Sequence, residues 1–254
     1  MNPLISVVTV CFNAAGTIQS TLDSVRTQTW RPLESVVVDG GSNDGTQDLV
    51  AHYGDITGTV VSEPDEGIYD AMNKGIDLAR GEIIHFLNAD DSFVDAGVVE
   101  AAARVFMAEP EVDLVFGDAI YRTTDGAFMR RYGRVNARNL IYGDLCHQVV
   151  FARKRVFERF GRFNLEYRIN ADFDWLLRVF RGGAQVRYLP RAVANYDTGG
   201  QSNVNPTFTR AERIRVRLQY TTQSAYQVGE FGYRLRRKLL ALLGRKEFTP
   251  YVDS

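Results

Sequence analysis

The chain has 254 residues, enough for one large α/β domain or two small ones, and its 45% hydrophobic and 24% charged content reads as soluble and globular. No run approaches the roughly 18 apolar residues of a membrane span, and the first residues lack the basic start of a signal peptide, so a cytoplasmic chain with reduced thiols at Cys11 and Cys146 is expected. The three histidines are too scattered for a zinc site. The net charge of −1 hides an asymmetry: residues 205–254 carry +6 and residues 1–204 carry −7.

In chain order, "LISVVTVCF" (4–12) is a near-continuous apolar run, as in strands buried on both faces of a parallel sheet. Residues 16–28 place Ile18, Leu22 and Val25 at helical spacing, and "LESVVVD" (33–39) is a second strand. A short helix over 45–53, a strand over 58–63, a helix over 67–81 and a strand over 82–88 follow. An Ala-rich helix over 95–109 and a fifth strand over 112–118 complete a β/α alternation. Beyond it, 119–132 reads as a hairpin turning at Asp125-Gly126, 147–153 as a strand and 154–161 as a short helix. A helix over 171–183 and a last strand over 184–190 close this half.

Alternating strands and helices predict right-handed crossovers and ligand binding beyond the carboxyl ends of the strands. Two acidic tips should share that edge: Asp39 with its glycines, and "NADD" (88–91). Adjacent Asp90 and Asp91 repel unless neutralised, and a hard divalent cation does this well; the plain alternative is a helix cap. Asp39 can accept from a base edge, with Gly40 and Gly41 admitting close approach, or simply close a turn. Asp65 and Gly67 precede a helix that carries Asp70, Asn73 and Lys74. Asp172 and Asp174 open an otherwise apolar helix, as caps or with one of them as a general base.

These stretches, in this order, resemble the nucleotide-sugar glycosyltransferases of GT-A fold, specifically the large inverting family 2. The resemblance rests on residues 6–13, 21–46, 65–91, 146–178 and the "GGQS" at 199–202, and covers roughly residues 4–204. It implies an α/β fold with a Rossmann-like, mostly parallel nucleotide-binding half (1–118), an acceptor half (119–204) and a basic helical C-terminal extension (205–254). It also implies roles. Phe12, Asn13, Asp39 and Gly40 would receive the base, with Asp65, Gly67, Asn73 and Lys74 by the nucleoside. Asn88, Ala89 and Asp90 would meet the diphosphate, Asp90 with Asp91 beside it would hold Mn²⁺ or Mg²⁺, and Asp172 would be the catalytic base. His147, Gln148, Asp174 and Trp175 are acceptor candidates. The chain departs from the family pattern at Asn88, the first position of the metal motif, and at Ala171, before the base.

The implied reaction moves a sugar from a UDP-, dTDP- or GDP-linked donor to an acceptor hydroxyl in cell-surface polysaccharide or glycolipid assembly. Residues 231–246 read as a basic amphipathic helix suited to an anionic membrane surface at the inner face, or to packing on the domain or a second subunit. No nucleic-acid partner is expected. Competing readings are a sugar-1-phosphate nucleotidyltransferase, a dinucleotide-dependent oxidoreductase, for which G-x-G-x-x-G is missing after the first strand, and a non-catalytic relative.

Overall fold

Residues 5–11 carry apolar or small side chains, and all seven are buried. A strand without a solvent face must lie inside a sheet covered on both sides. In the computed structural model, which describes residues 2–197, 205–242 and 248–251, Ile5–Cys11 forms β1 within the sheet. Leu33–Asp39 (β2) pairs with it in parallel, Cys11 facing Asp39 at the last rung. Thr57–Ser62 (β3) extends β2, and Ile83–Phe86 (β4) flanks β1 on the other side, both parallel. The helices Ile18–Arg26 (α1), Thr46–Ala51 (α2) and Ile68–Leu78 (α3) cross between these strands. This half matches the expected alternation, and the tips of β1, β2 and β4 converge on one edge.

The second half is mixed. Ser92–Phe93 (β5) and Val98–Ala108 (α4) lead into the long strand Leu114–Thr123 (β6), which turns through a hairpin into Gly126–Arg130 (β7). Val150–Arg153 (β8) inserts antiparallel between β4 and β6, followed by Lys154–Phe160 (α5) and Ala171–Arg181 (α6). Val186–Asp197 (β9) is longer than the sequence pattern suggests. It runs in parallel beside β6, with register shifts that carry it past Pro190, and its far end pairs with β5. The antiparallel insertion curls the sheet and faces β8 and α6 towards the tips of the parallel half.

The C-terminal segment is part of this body. Pro206–Leu218 (α7) is capped by Asn205, buries Val216 and packs on α6. Gln223–Leu242 (α8) buries Tyr226, and the Arg217 guanidinium lies over the rings of both Phe173 and Tyr226. Phe248–Tyr251 (β10) then adds an antiparallel strand to β7. The "GGQS" segment and residues 243–247, which include part of the expected basic helix, lie outside the described residues.

Helix α3 lies tight on the sheet because Gly75 has no side chain. A Cβ there would stand 2.4 Å from Val8 Cγ1. Gly75→Ala should therefore cost about 1–3 kcal/mol of overpacking in urea unfolding, although alanine is the better helix former. Pairing it with Val8→Ala should recover part of the loss. A single variant as stable as the wild type would contradict this packing.

Candidate active site

The edge where β1, β2 and β4 end opens into a cleft of about 370 Å³, walled on the far side by the loop before β8, the start of α6 and helix α7. On the β1 side, Phe12 is 64% exposed, an unusual state for a large aromatic ring at the mouth of a cleft. Asn13 sits at φ +49, donates its N–H to Ser42 Oγ (2.7 Å) and accepts from the Asn43 N–H (3.1 Å). The turn after β1 is thereby clamped to the turn after β2. Gly40 makes room: a Cβ there would meet Asp65 Oδ2 at 2.6 Å and the Phe12 ring at 3.3 Å. Phe12, Gly40 and Asp65 thus form one cluster, and Asp65 also accepts from the Gly67 N–H (2.9 Å).

Asp39 is held beneath that cluster, only 1% exposed. Its carboxylate accepts from the Ser42 hydroxyl, the Ser42 N–H (3.0 Å), the Ser62 hydroxyl (2.5 Å) and the Cys11 thiol (3.6 Å). Burial pushes this carboxyl up, but those donors more than reverse it and hold it below its ordinary value. Four donors occupy the lone-pair directions of both oxygens, so Asp39 shapes the tip and does not line the cleft.

At the β4 tip, the acidic neighbours part. Asp91 turns inward, 2% exposed, accepting from Gln148 Nε2 (2.8 Å) and the Asp197 N–H (2.9 Å). Burial, then the charge of Asp90, push its carboxyl well up. Asp90 turns outward into the cleft beside Asn88 and Ala89, and its carboxylate meets no partner side chain among the described residues. Partial burial and the nearby Asp197 carboxylate raise it as well. No group of three acidic, His or Cys side chains that could hold a metal ion occurs among the described residues. A cation here would rest on Asp90 and on ligands from a substrate, which suits a hard divalent ion that keeps oxygen ligands from phosphates; the pairing expected for Asp91 is replaced by an internal role.

Asp172 faces the same space from the first turn of α6. Its Oδ2 lies 3.0 Å from His147 Nδ1, and its Oδ1 lies 2.8 Å from the Tyr69 hydroxyl. The single Tyr69 proton is shared between that oxygen and the Ile169 carbonyl, 2.7 Å away. The other ring nitrogen of His147 stands 3.5 Å from Asn88 Oδ1, so one imidazole spans the gap between the base candidate and the acidic tip. Burial works to raise the Asp172 carboxyl, but the hydrogen bond and charge of His147, then Tyr69 and Arg213, bring it below its ordinary value. The group is ionised at neutral pH, and each oxygen keeps lone-pair capacity for a further donor.

The remaining expected residues are placed elsewhere. Asp174, 3% exposed, is tied to Arg178 Nε (2.9 Å) and the Tyr220 hydroxyl (2.9 Å). Trp175 stacks on Phe157 in the core and donates to the Gly161 carbonyl (3.0 Å). Neither lines the cleft, which removes both from the acceptor surface. Asn73 locks the Phe163 backbone in both directions (3.0 and 3.1 Å). Lys74 is paired with Glu63 (2.9 Å) and Asp70 (3.4 Å). Gln148 touches the cleft but spends its amide on Asp91. Residues not anticipated also line it: Tyr69, Tyr121, Tyr196, Arg168, Thr209 and Arg213. Tyr69 lies in the helix expected over 67–81, while Thr209 and Arg213 reach the site only because α7 folds back.

A Rossmann-like parallel half joined to a mixed half, with acidic strand tips facing a carboxylate on a helix, defines a GT-A glycosyltransferase. The family model described as Glycosyl transferase family 2 matches residues 6–180, and the chain belongs to that family. It is 38% identical over 224 residues to the "PGL/p-HBAD biosynthesis glycosyltransferase" of Mycobacterium bovis (strain BCG / Pasteur 1173P2), covering 85% of this chain and 86% of that protein. Among solved structures it is similar to Staphylococcus aureus TarS residues 1–349 in complex with UDP (TM-score 0.69, 19% identity, 89% of this chain and 69% of that one). It spans 38% of the longer TarS chain. It is also similar to a mannosyltransferase from Pyrobaculum calidifontis in complex with GDP-Man and Mn²⁺ (TM-score 0.62, 22% identity, 93% of this chain and 65% of that one). The family sets aside the nucleotidyltransferase and oxidoreductase readings.

Because the folded Asp39 carboxyl titrates below its unfolded value, its contacts contribute stability that is fully present above about pH 4 and is lost as pH falls through the folded value. Asp39→Asn should be less stable than the wild type near neutral pH, and the gap should narrow below about pH 4. Urea titrations across that range measure it. A gap that stays constant into acid would show that the ionised form is not what the four donors hold.

Proposed function

We propose that the protein is an inverting glycosyltransferase that moves a sugar from a nucleoside diphosphate to a hydroxyl of a glycan or glycolipid acceptor in cell-envelope assembly. The observation that carries this reading is the His147 bridge, which sets an ionised Asp172 one imidazole away from the β4 tip. The complexes of structural relatives with UDP and GDP-Man, and the glycolipid context in the name of the mycobacterial relative, support the substrate classes.

In this reading Phe12, Asn13, Gly40, Asp65 and Gly67 receive the nucleoside, with Phe12 stacking on the base. Asp39 meets the base edge only if Ser42 or Ser62 releases it, and otherwise supports the turn from below. Asn73 and Lys74 hold the wall. Asn88, Ala89 and Asp90 face the diphosphate. Asp90 is the residue that fits Mn²⁺ or Mg²⁺, which when bound supplies Lewis-acid neutralisation of the leaving group. Asp172 takes the proton of the acceptor hydroxyl. The acceptor oxygen forms its bond to the anomeric carbon from the face opposite the diphosphate, while the carbon–oxygen bond to the diphosphate breaks and its electron pair leaves with that group. One displacement inverts the configuration, and no carboxylate nucleophile takes part, unlike a retaining glycosidase. Tyr69 and His147 hold Asp172 in place, and His147 stands where the acceptor enters.

A thermal-shift panel with UDP, dTDP and GDP, with and without Mn²⁺, tests the donor side. One diphosphate should raise the melting temperature in a Mn²⁺-dependent way, and Asp90→Ala should abolish the shift. Asp172→Asn should keep the shift yet lose transfer by about 10²–10⁴-fold. Substantial turnover in Asp172→Asn would remove the base assignment, and no shift with any nucleotide would remove the donor assignment.

No described helix is long and apolar enough to cross a membrane. Helix α8 nevertheless presents Val228, Phe231, Leu235, Leu239 and Leu242 along one face, each 50–83% exposed, with Arg236, Arg237 and Lys238 close by. A face of this kind lies in the headgroup plane of an anionic bilayer, where a lipid-linked acceptor would be. The full chain should float with vesicles containing anionic lipid, less so at high salt, and Phe231→Ser with Leu235→Ser should abolish flotation. Equal flotation of wild type and variant would exclude this face as the contact.

A further inference from the structure

The loop that delivers Asp172 to the cleft is held by a carboxylate from far along the chain. Glu212, on α7, is 7% exposed. One of its oxygens accepts from the Arg168 N–H (2.7 Å), and the other accepts from the N–H groups of Ile169 (2.9 Å) and Asn170 (2.8 Å) and from Asn170 Nδ2 (3.1 Å). Three successive backbone N–H groups thus converge on one anion, the concave arrangement that backbone elsewhere uses to hold phosphates and other anions. Here the anion is intramolecular.

Asn170 is the N-cap residue of α6 and fully buried, and α7 grips all of it. Its Nδ2 also reaches the Thr209 carbonyl (3.1 Å), and its Oδ1 accepts from Arg213 Nε (2.9 Å). Its own side chain makes no capping bond. Two residues later comes Asp172, while Arg168, Ile169, Thr209 and Arg213 line the cleft. One side chain outside the residues that the family model matches, which end at 180, thus bonds the whole approach to α6.

We propose that Glu212 is a positioning residue for the transfer step: its carboxylate fills the 168–170 nest, fixes the first turn of α6 and so aims Asp172 at the acceptor. It follows that α7 belongs to the catalytic unit and is not an appendage of it. This rests on the reading of Asp172 as base, and Asp172→Asn tests that reading separately. A charge-assisted set of four bonds to one carboxylate is strong enough to define a geometry, and a small displacement of a catalytic group is costly in rate.

The test is transfer kinetics on the full-length chain with Glu212→Ala, Glu212→Gln and Glu212→Asp. In Glu212→Ala, kcat should fall by about tenfold or more while the donor KM stays within about twofold, because Asp172 moves and the nucleoside cluster does not. Sodium formate, which supplies a free carboxylate to the empty nest, should restore part of kcat with saturation, where sodium chloride at the same ionic strength does not. Glu212→Gln keeps the side-chain volume but turns an N–H donor towards the nest, so it should fold and still lose kcat. Glu212→Asp should retain more activity than either. A folded Glu212→Ala or Glu212→Gln with wild-type kcat would overturn the proposal. So would a loss of kcat that neither formate nor Glu212→Asp relieves. If Asp172→Asn is itself active, the base assignment fails instead, and the two failures are told apart.

Discussion

A carboxylate removed from water must find donors, and the site is organised by that requirement. Asp39 draws donors from β1, β3 and the turn after β2, Asp91 from the loop before β8 and the end of β9, and Asp174 from its own helix and Tyr220. Glu212 draws them from the approach to α6. In each case at least one donor comes from a segment distant in sequence. Losing a donor leaves a buried oxygen short of a hydrogen bond, a larger cost than the net gain of making one. These knots tie together walls of the cleft that come from both halves of the fold.

Against that background the two acids facing the cleft differ instructively. Asp172 is stabilised in its charged form by His147 and Tyr69, whereas Asp90 is held where charge is uphill, crowded by Asp197 and lacking a partner side chain among the described residues. Opposite environments for two carboxyls are the usual way one cleft supports two roles. The proposed roles draw on this difference, with an ionised base at Asp172 and a place for a cation at Asp90. Cys11 and His85 mark the other extreme. Burial pushes the thiol far up and the imidazole down to about 3, so both remain neutral parts of the core.

Much of this was legible in the residues. The parallel half followed from unbroken apolar runs, because a strand buried on both faces leaves little choice of side chain. Asn88, Asp90 and Asp172 fall on the cleft because strand tips and the first turn of a helix are fixed by local pattern, whereas Phe12 was marked by the family resemblance. Asp91, Asn73, Asp174 and Trp175 have a structural reading beside the functional one, and only tertiary packing shows where each is turned. A periodicity argument says which face of an element is polar, not whether a polar group there meets solvent or a hidden donor. Helix α7 escaped for a related reason. Its charge marks it only as part of a basic extension, yet Arg213 and Arg217 lie over Phe173 and Glu212 is buried.

The Glu212 nest also has a consequence for biosynthesis. Translation delivers residues 168–170 about forty positions before the carboxylate that fills the nest, and strand β10, which completes the sheet edge beside β7, comes later still. Until that carboxylate is made, the N–H groups of residues 168–170 have only water to bond. The wall of the cleft formed by the start of α6 is thus completed only by residues made after the tips of β1, β2 and β4 and after α6 itself.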